Sequence, residues 1–127
     1  MKTICTHTQI TVLPKKIRRF AFTQDDNGKV DLTLNKSYEI YGIRRNRYGT
    51  FYLVLTDSIH HNLPWWLPDT FFEKPDSPAP SSWVTKTFGR IRKETYITSP
   101  FYFDAIEDIE DGTPKGREAF EKMKHAQ

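Results

Sequence analysis

Val30, Leu32 and Leu34 alternate with Asp31 and Thr33, and a period of two places those three side chains on one face of a strand. Upstream lies Ile17-Arg18-Arg19-Phe20-Ala21-Phe22, and Gln24-Asp25-Asp26-Asn27-Gly28 separates the two runs. Asn-Gly supplies the positive φ angles that a type I′ turn requires, so a first hairpin is predicted through Asn27-Gly28. Ser37–Ile43 and Thr50–Thr56 are rich in Tyr, Ile, Phe and Val at alternate and intervening positions. Such runs suit mid-sheet strands covered on both faces. They form a second hairpin, with Arg44–Gly49 as its polar connection.

Pro64–Pro68 and Thr70–Glu73 read as an extended edge or crossing segment, because proline cannot donate to a ladder. Lys74–Ser82 carries Pro75, Pro78 and Pro80 and is expected to be a stiff surface loop; its P-x-x-P spacing matches a proline-rich ligand motif. Trp83–Phe88 and Arg90–Thr98 form a third predicted hairpin through Gly89. After Thr98 the period changes. Ser99-Pro100 is an N-cap followed by proline at the first helical position. Tyr102, Phe103, Ile106 and Ile109 then follow at helical spacing, and Gly112 stands where a C-cap glycine belongs. Thr113-Pro114 repeats the start signal, with Phe120 and Met123 as the apolar face of a second helix. Strands first and helices last is an α+β order. The expected architecture is one domain over 1–127: an antiparallel sheet of five or six strands, β-rich over 8–98, then two short helices over 99–125.

Composition adds bounds. A chain of 127 residues fits one domain. Its 14% aromatic content can close a core at a mean hydropathy of −0.66, because each large ring buries about 150–250 Å². Cys5 is the sole cysteine, so no internal disulfide forms. Met1-Lys2-Thr3-Ile4 opens no apolar run of the signal-peptide kind, and no stretch suits a transmembrane helix. The expectation is a reduced, cytoplasmic protein with no membrane partner. Net charge is +3, but residues 1–50 carry ten Lys/Arg against four Asp/Glu, residues 51–100 five of each, and residues 101–127 four against seven. A basic front and an acidic tail either neutralise each other within the fold or present two faces of opposite sign.

Four features are candidates for chemistry. His60 and His61 are adjacent, so on a strand they point to opposite faces and cannot share one metal. The chain has no H-x-x-x-H, C-x-x-C, H-E-x-x-H, G-x-S-x-G or glycine-rich phosphate motif. Acid–base hydrolysis at His60 or His61 remains an outlying reading; no catalytic residue, metal or cofactor is expected. Arg44, Arg45, Arg47 and Tyr48 at a hairpin tip suit phosphates and a stacked base, or serve only to keep the turn soluble. Asp104, Glu107, Asp108, Glu110 and Asp111 crowd the end of the first predicted helix. Acids there face the negative end of the macrodipole, at about 0.3–1 kcal/mol each when exposed. They either balance the basic half or await a basic partner. Trp65-Trp66 on an extended segment point to opposite sides; one indole enters the core, and Trp66 is either an outward anchor of the hot-spot kind or is covered by the proline loop or a C-terminal helix.

Leu34-Asn35-Lys36-x-Tyr38-x-Ile40-Tyr41-Gly42-Ile43 resembles the opening strand of small bacterial SH3-like barrel proteins. Pro64-Trp65-Trp66-x-Pro68, Phe72-Glu73 and Trp83 follow in similar order, as does Phe101-Tyr102-Phe103 with Asp111-Gly112 before a short helix. Over residues 32–123 the chain is similar to immunity proteins of contact-dependent and other polymorphic toxin systems. The resemblance implies a strongly bent SH3-like sheet or partly open barrel, and a non-catalytic protein that binds and occludes one cognate toxin domain. Asp104, Glu107, Asp108, Glu110, Asp111 and Trp66 would then meet the partner. An SH3-like nucleic-acid-binding module using Arg44, Arg45, Arg47 and Tyr48 is the alternative. Immunity proteins against nucleases are often acidic, whereas this chain has a pI of about 9.0, so a nuclease partner requires the acidic C-terminal segment to do the binding.

Overall fold

Large side chains on neighbouring strands give one sheet two apolar faces. The computed structural model describes residues 1–20, 28–58 and 63–126. Its strands are β1 (Lys2–Ile4), β2 (Ser37–Asn46), β3 (Gly49–Val54), β4 (Trp65–Pro68), β5 (Val84–Phe88) and β6 (Glu94–Thr98). The order is β4-β3-β2-β6-β5, with β1 also on β2, and every pairing is antiparallel. Among the described residues the sheet is open, with β4 and β5 at the ends of this order and β1 paired on one side only. Three helices follow: α1 (Pro100–Phe103), α2 (Ile106–Asp111) and α3 (Pro114–His125). None of the described helices is long and apolar enough to cross a membrane.

β2 is the organising strand because it serves both faces. Tyr38, Ile40 and Ile43 enter one core with Tyr52, Val54 and Leu67; Tyr41 enters the other with Leu53, Tyr96 and Tyr102. The pairing of β2 with β3 shifts between Ile40 and Gly42. A bulge of this kind turns two successive residues to one side, and both Tyr41 and Gly42 face the helices. Thr98 Oγ1 donates to the Tyr41 carbonyl at 2.6 Å and fixes the bulge. Gly42 is required for space: a Cβ there would stand 2.9 Å from the Trp66 ring and 3.0 Å from Thr98 Oγ1.

The second and third predicted hairpins form, and Pro64–Pro68 supplies an edge strand as its prolines require. Among the described residues the first does not form. Lys15–Phe20 are 3-10 helical, residues 21–27, including Asn27, lie outside the described residues, and Lys29 makes only an isolated bridge to Gln9. Burial explains the misreading: Val30 and Leu32 are 1% and 2% exposed, alongside Leu13 and Ile17. Their alternation marks a loop laid over a core, and Leu34, 53% exposed, drops out where Asn35 turns at φ 65°. The sheet also begins at Lys2, ahead of the β-rich region expected from residue 8. The proline loop is tied along β1, since Lys2 N donates to Asp76 Oδ1 at 2.7 Å and Asp76 N to the Lys2 carbonyl at 2.9 Å.

Three helices stand where two were expected. Ser99 caps α1 through the Phe101 amide, and Gly112 ends α2 at φ 71°, the left-handed conformation a C-cap glycine provides. The single helix predicted over 99–111 is broken at Ala105, whose φ −146° and ψ 34° are not helical. The break gives α2 its own N-terminus, so Glu107 and Asp108 sit in a first turn, where acids are favourable. Only Glu110 and Asp111 are left at the unfavourable end.

Candidate functional site

The geometry of the helix-side core begins with Trp66. Its register on β4 sets it opposite Leu53, and Gly42 leaves room for its ring. The indole Nε1 donates to Tyr102 Oη at 2.9 Å. Its ring meets Tyr102 and Tyr96 edge-on, with centroids 5.8 and 5.7 Å away. Trp66 is therefore covered by α1 and half-buried.

Beside it opens a cleft of about 250 Å³. Leu53, Leu63, Trp65, Trp66, Tyr102 and Ile109 give it an apolar lining, and Glu110, Asp111 and Arg117 contribute polar groups. α2 reaches this position because Ile109 anchors it to the core while Gly112 turns the chain into α3. The Glu110 carboxyl is pushed up from the usual range, first by desolvation; Arg44 pulls it back, and Asp111, Glu107 and Glu94 push it further. Burial raises the Tyr96 phenol to about 12 and the Tyr102 phenol also upward. Both phenols stay protonated at neutral pH and serve as hydrogen-bonding groups, not bases.

The structure separates the two sets of candidates differently from their sequence order. Arg44 and Arg45 lie within β2 and not in the connection, so the turn is only Arg47-Tyr48. Arg44 faces the helices, pairs with Glu94, and lies 5.3 Å from the Tyr96 ring centre. Glu94 also accepts from Asn46 Nδ2 at 3.3 Å and Tyr96 Oη at 3.2 Å; although burial opposes it, these donors hold its carboxyl below the usual range. Arg44 Nε is buried and finds no hydrogen-bond partner among the described residues. Arg45 acts on Asp69, whose carboxyl is raised by burial and lowered by that arginine. Arg47 lies over the Tyr48 ring at 4.7 Å and donates to its hydroxyl. The guanidiniums thus do not converge on one point.

Among the acids, Asp108 is engaged internally: Thr113 Oγ1 donates to its carboxylate at 2.9 Å, and Lys115 Nζ lies 3.8 Å away. Asp104, Glu107, Glu110 and Asp111 are exposed, and no ion pair within 4 Å holds them among the described residues. Glu110 and Asp111 alone of the five line the cleft. Leu63, Tyr96, Tyr102 and Glu94 were not singled out from sequence. Tyr102 was legible as a helix-face residue, but the pairing of Glu94 with Arg44 needs the β2–β6 register. His60 and His61 lie outside the described residues. Among those described, no three His, Cys, Asp or Glu side chains are grouped to hold a metal ion.

A second polar cluster joins the 29–36 loop to the end of β3. Asp57 accepts from Thr33 Oγ1 at 2.6 Å, Lys36 Nζ at 2.6 Å and Tyr38 Oη at 2.7 Å. Its carboxyl is lowered by those three bonds against the opposing effect of burial. With three donors spent on it, this carboxylate is a clamp. No known protein family, curated protein or solved structure matches the chain.

Proposed function

We propose that this chain is a non-catalytic binding protein of the immunity kind, which occludes a cognate toxin domain by seating an apolar, cationic feature of it in the α2–β4 cleft. One observation carries the reading: the apolar Trp66 and Ile109 share a cleft lining with two carboxylates, Glu110 and Asp111, that no ion pair within 4 Å holds among the described residues, Arg117 lying in the same lining and Arg44 acting on Glu110 from farther off. A lysine or arginine fits such a place, with its stem on the rings and its head at the acids. The acids' charge speeds encounter and rejects wrong partners more than it sets final affinity. The toxin as partner rests on the resemblance to SH3-like immunity proteins.

The test is co-expression with the product of the neighbouring reading frame, followed by pulldown and association kinetics. A stable complex is expected, and Glu110→Lys with Asp111→Lys should slow association about tenfold or more at low salt. A toxin-like neighbour that leaves the chain unbound, or an on-rate that ignores the reversal, defeats the proposal.

A further inference from the structure

Two turns leave the sheet at the same end. The pairing of Asn46 with Gly49 closes one over Arg47-Tyr48, and the pairing of Phe88 with Glu94 closes the other over Gly89–Lys93. Arg45 lies opposite Thr95 across the β2–β6 ladder, so the tips are neighbours, with adjacent strands about 4.8 Å apart. Arg45, Arg47, Arg90, Arg92 and Lys93 are all exposed there, and none lies in an ion pair within 4 Å among the described residues. Of the acids nearby, Glu94 is held by Arg44 and Asp69 is half-buried. Between Arg90 and Arg92 stands Ile91, 97% exposed and used by neither core.

We propose that this end of the sheet docks on an anionic phospholipid surface, its five cations against the headgroups and Ile91 entering the acyl boundary. Cations beside a negatively charged leaflet are attracted within a Debye length. A wholly exposed aliphatic side chain at the tip gains the full transfer out of water that the fold denies it. The same cations would meet a nucleic-acid backbone, where bases stack on aromatic faces; the one ring at these turns, Tyr48, is half-buried against the core with Arg47 laid over it, and the wholly exposed side chain is the aliphatic Ile91. Phospholipid is thus the ligand that uses both properties of the tip. None of these residues lines the α2–β4 cleft, so this site and the proposed partner site stand or fall separately.

The experiment is flotation of the full chain with phosphatidylcholine vesicles, with and without about 30% phosphatidylserine, at about 0.1 M and 0.5 M salt. Binding to the anionic vesicles alone, weakened at the higher salt, is expected. Ile91→Asp should lower that binding about tenfold or more while leaving the thermal midpoint unchanged, because the side chain touches no core. Arg90→Ala with Arg92→Ala should lower it as well. Absence of binding to anionic vesicles overturns the proposal, and so does binding that Ile91→Asp leaves intact. Salt-sensitive retention on single-stranded RNA, indifferent to Ile91→Asp and unaccompanied by vesicle binding, overturns it in favour of a nucleic-acid surface.

Discussion

Glu110 and Asp57 show how two carboxylates in one small domain come to opposite uses. Asp57 is held by three donors and its carboxyl is lowered. A lowered folded-state pKa contributes stability above the unfolded value and loses it as pH falls through the folded one. Glu110 is raised, chiefly by desolvation, so its charged form opposes folding at neutral pH. That opposition disappears as pH falls through the raised pKa and the group takes up its proton. Glu110→Gln is therefore expected to raise the thermal midpoint at neutral pH, with the gain shrinking toward zero in melts taken at successively lower pH. A lower midpoint at neutral pH would mean that a cation inside the fold satisfies this acid.

Elements meet through small residues that hydrophobic pattern does not mark. α3 seats on α2 at Gly116, where a Cβ would stand 2.0 Å from the Asp108 carbonyl oxygen and 2.6 Å from the Ile109 nitrogen. Both neighbours are backbone and cannot rotate away. Alanine is the better helix former by about 1 kcal/mol, yet the collision outweighs it. Gly116→Ala should cost about 3 kcal/mol through displacement of α3, seen as a lower urea midpoint. A midpoint at or above that of the natural chain would show that the helices do not pack at Gly116. The same junction absorbs Asp108 through Thr113, whose hydroxyl also accepts from the Gly116 amide at 3.1 Å. The acid run therefore divides into one residue that shapes the α2–α3 corner and others left for solvent or a partner.

At the scale of the molecule, the two cores draw on different residues but are not separate units. Ile43, Tyr52 and Val54 serve one, Tyr41 and Leu53 the other, and all five lie on β2 or β3. Neither core can melt without stripping those strands. A single cooperative transition is expected, with tryptophan fluorescence and far-ultraviolet circular dichroism coinciding in urea; Trp66 reports on one core and Trp83 on the other. Two separated transitions would show that the faces fold independently. Charge is also arranged at this scale: among the described residues, acids in no ion pair lie on α2 at the cleft and cations in no ion pair at the tips of two hairpins.

The sequence by itself determined the α+β order, the β2–β3 and β5–β6 hairpins, the edge segment at Pro64–Pro68, and the Ser99, Gly112 and Thr113 caps. These rest on local physics: period, turn chemistry and orphan backbone groups within a few residues of one another. It misled at Val30–Leu34, because alternation records which side chains are buried and not whether a neighbouring strand exists to accept the backbone bonds. Tertiary structure alone decided the break at Ala105, the neutralisation of Arg44 by Glu94 across two strands, the removal of Asp108 from the free acids, and the meeting of two basic tips at one sheet end. The last three depend on contacts between residues from 5 to 50 positions apart and on the β2–β6 register. Residue type cannot report such distances, and chain topology sets them.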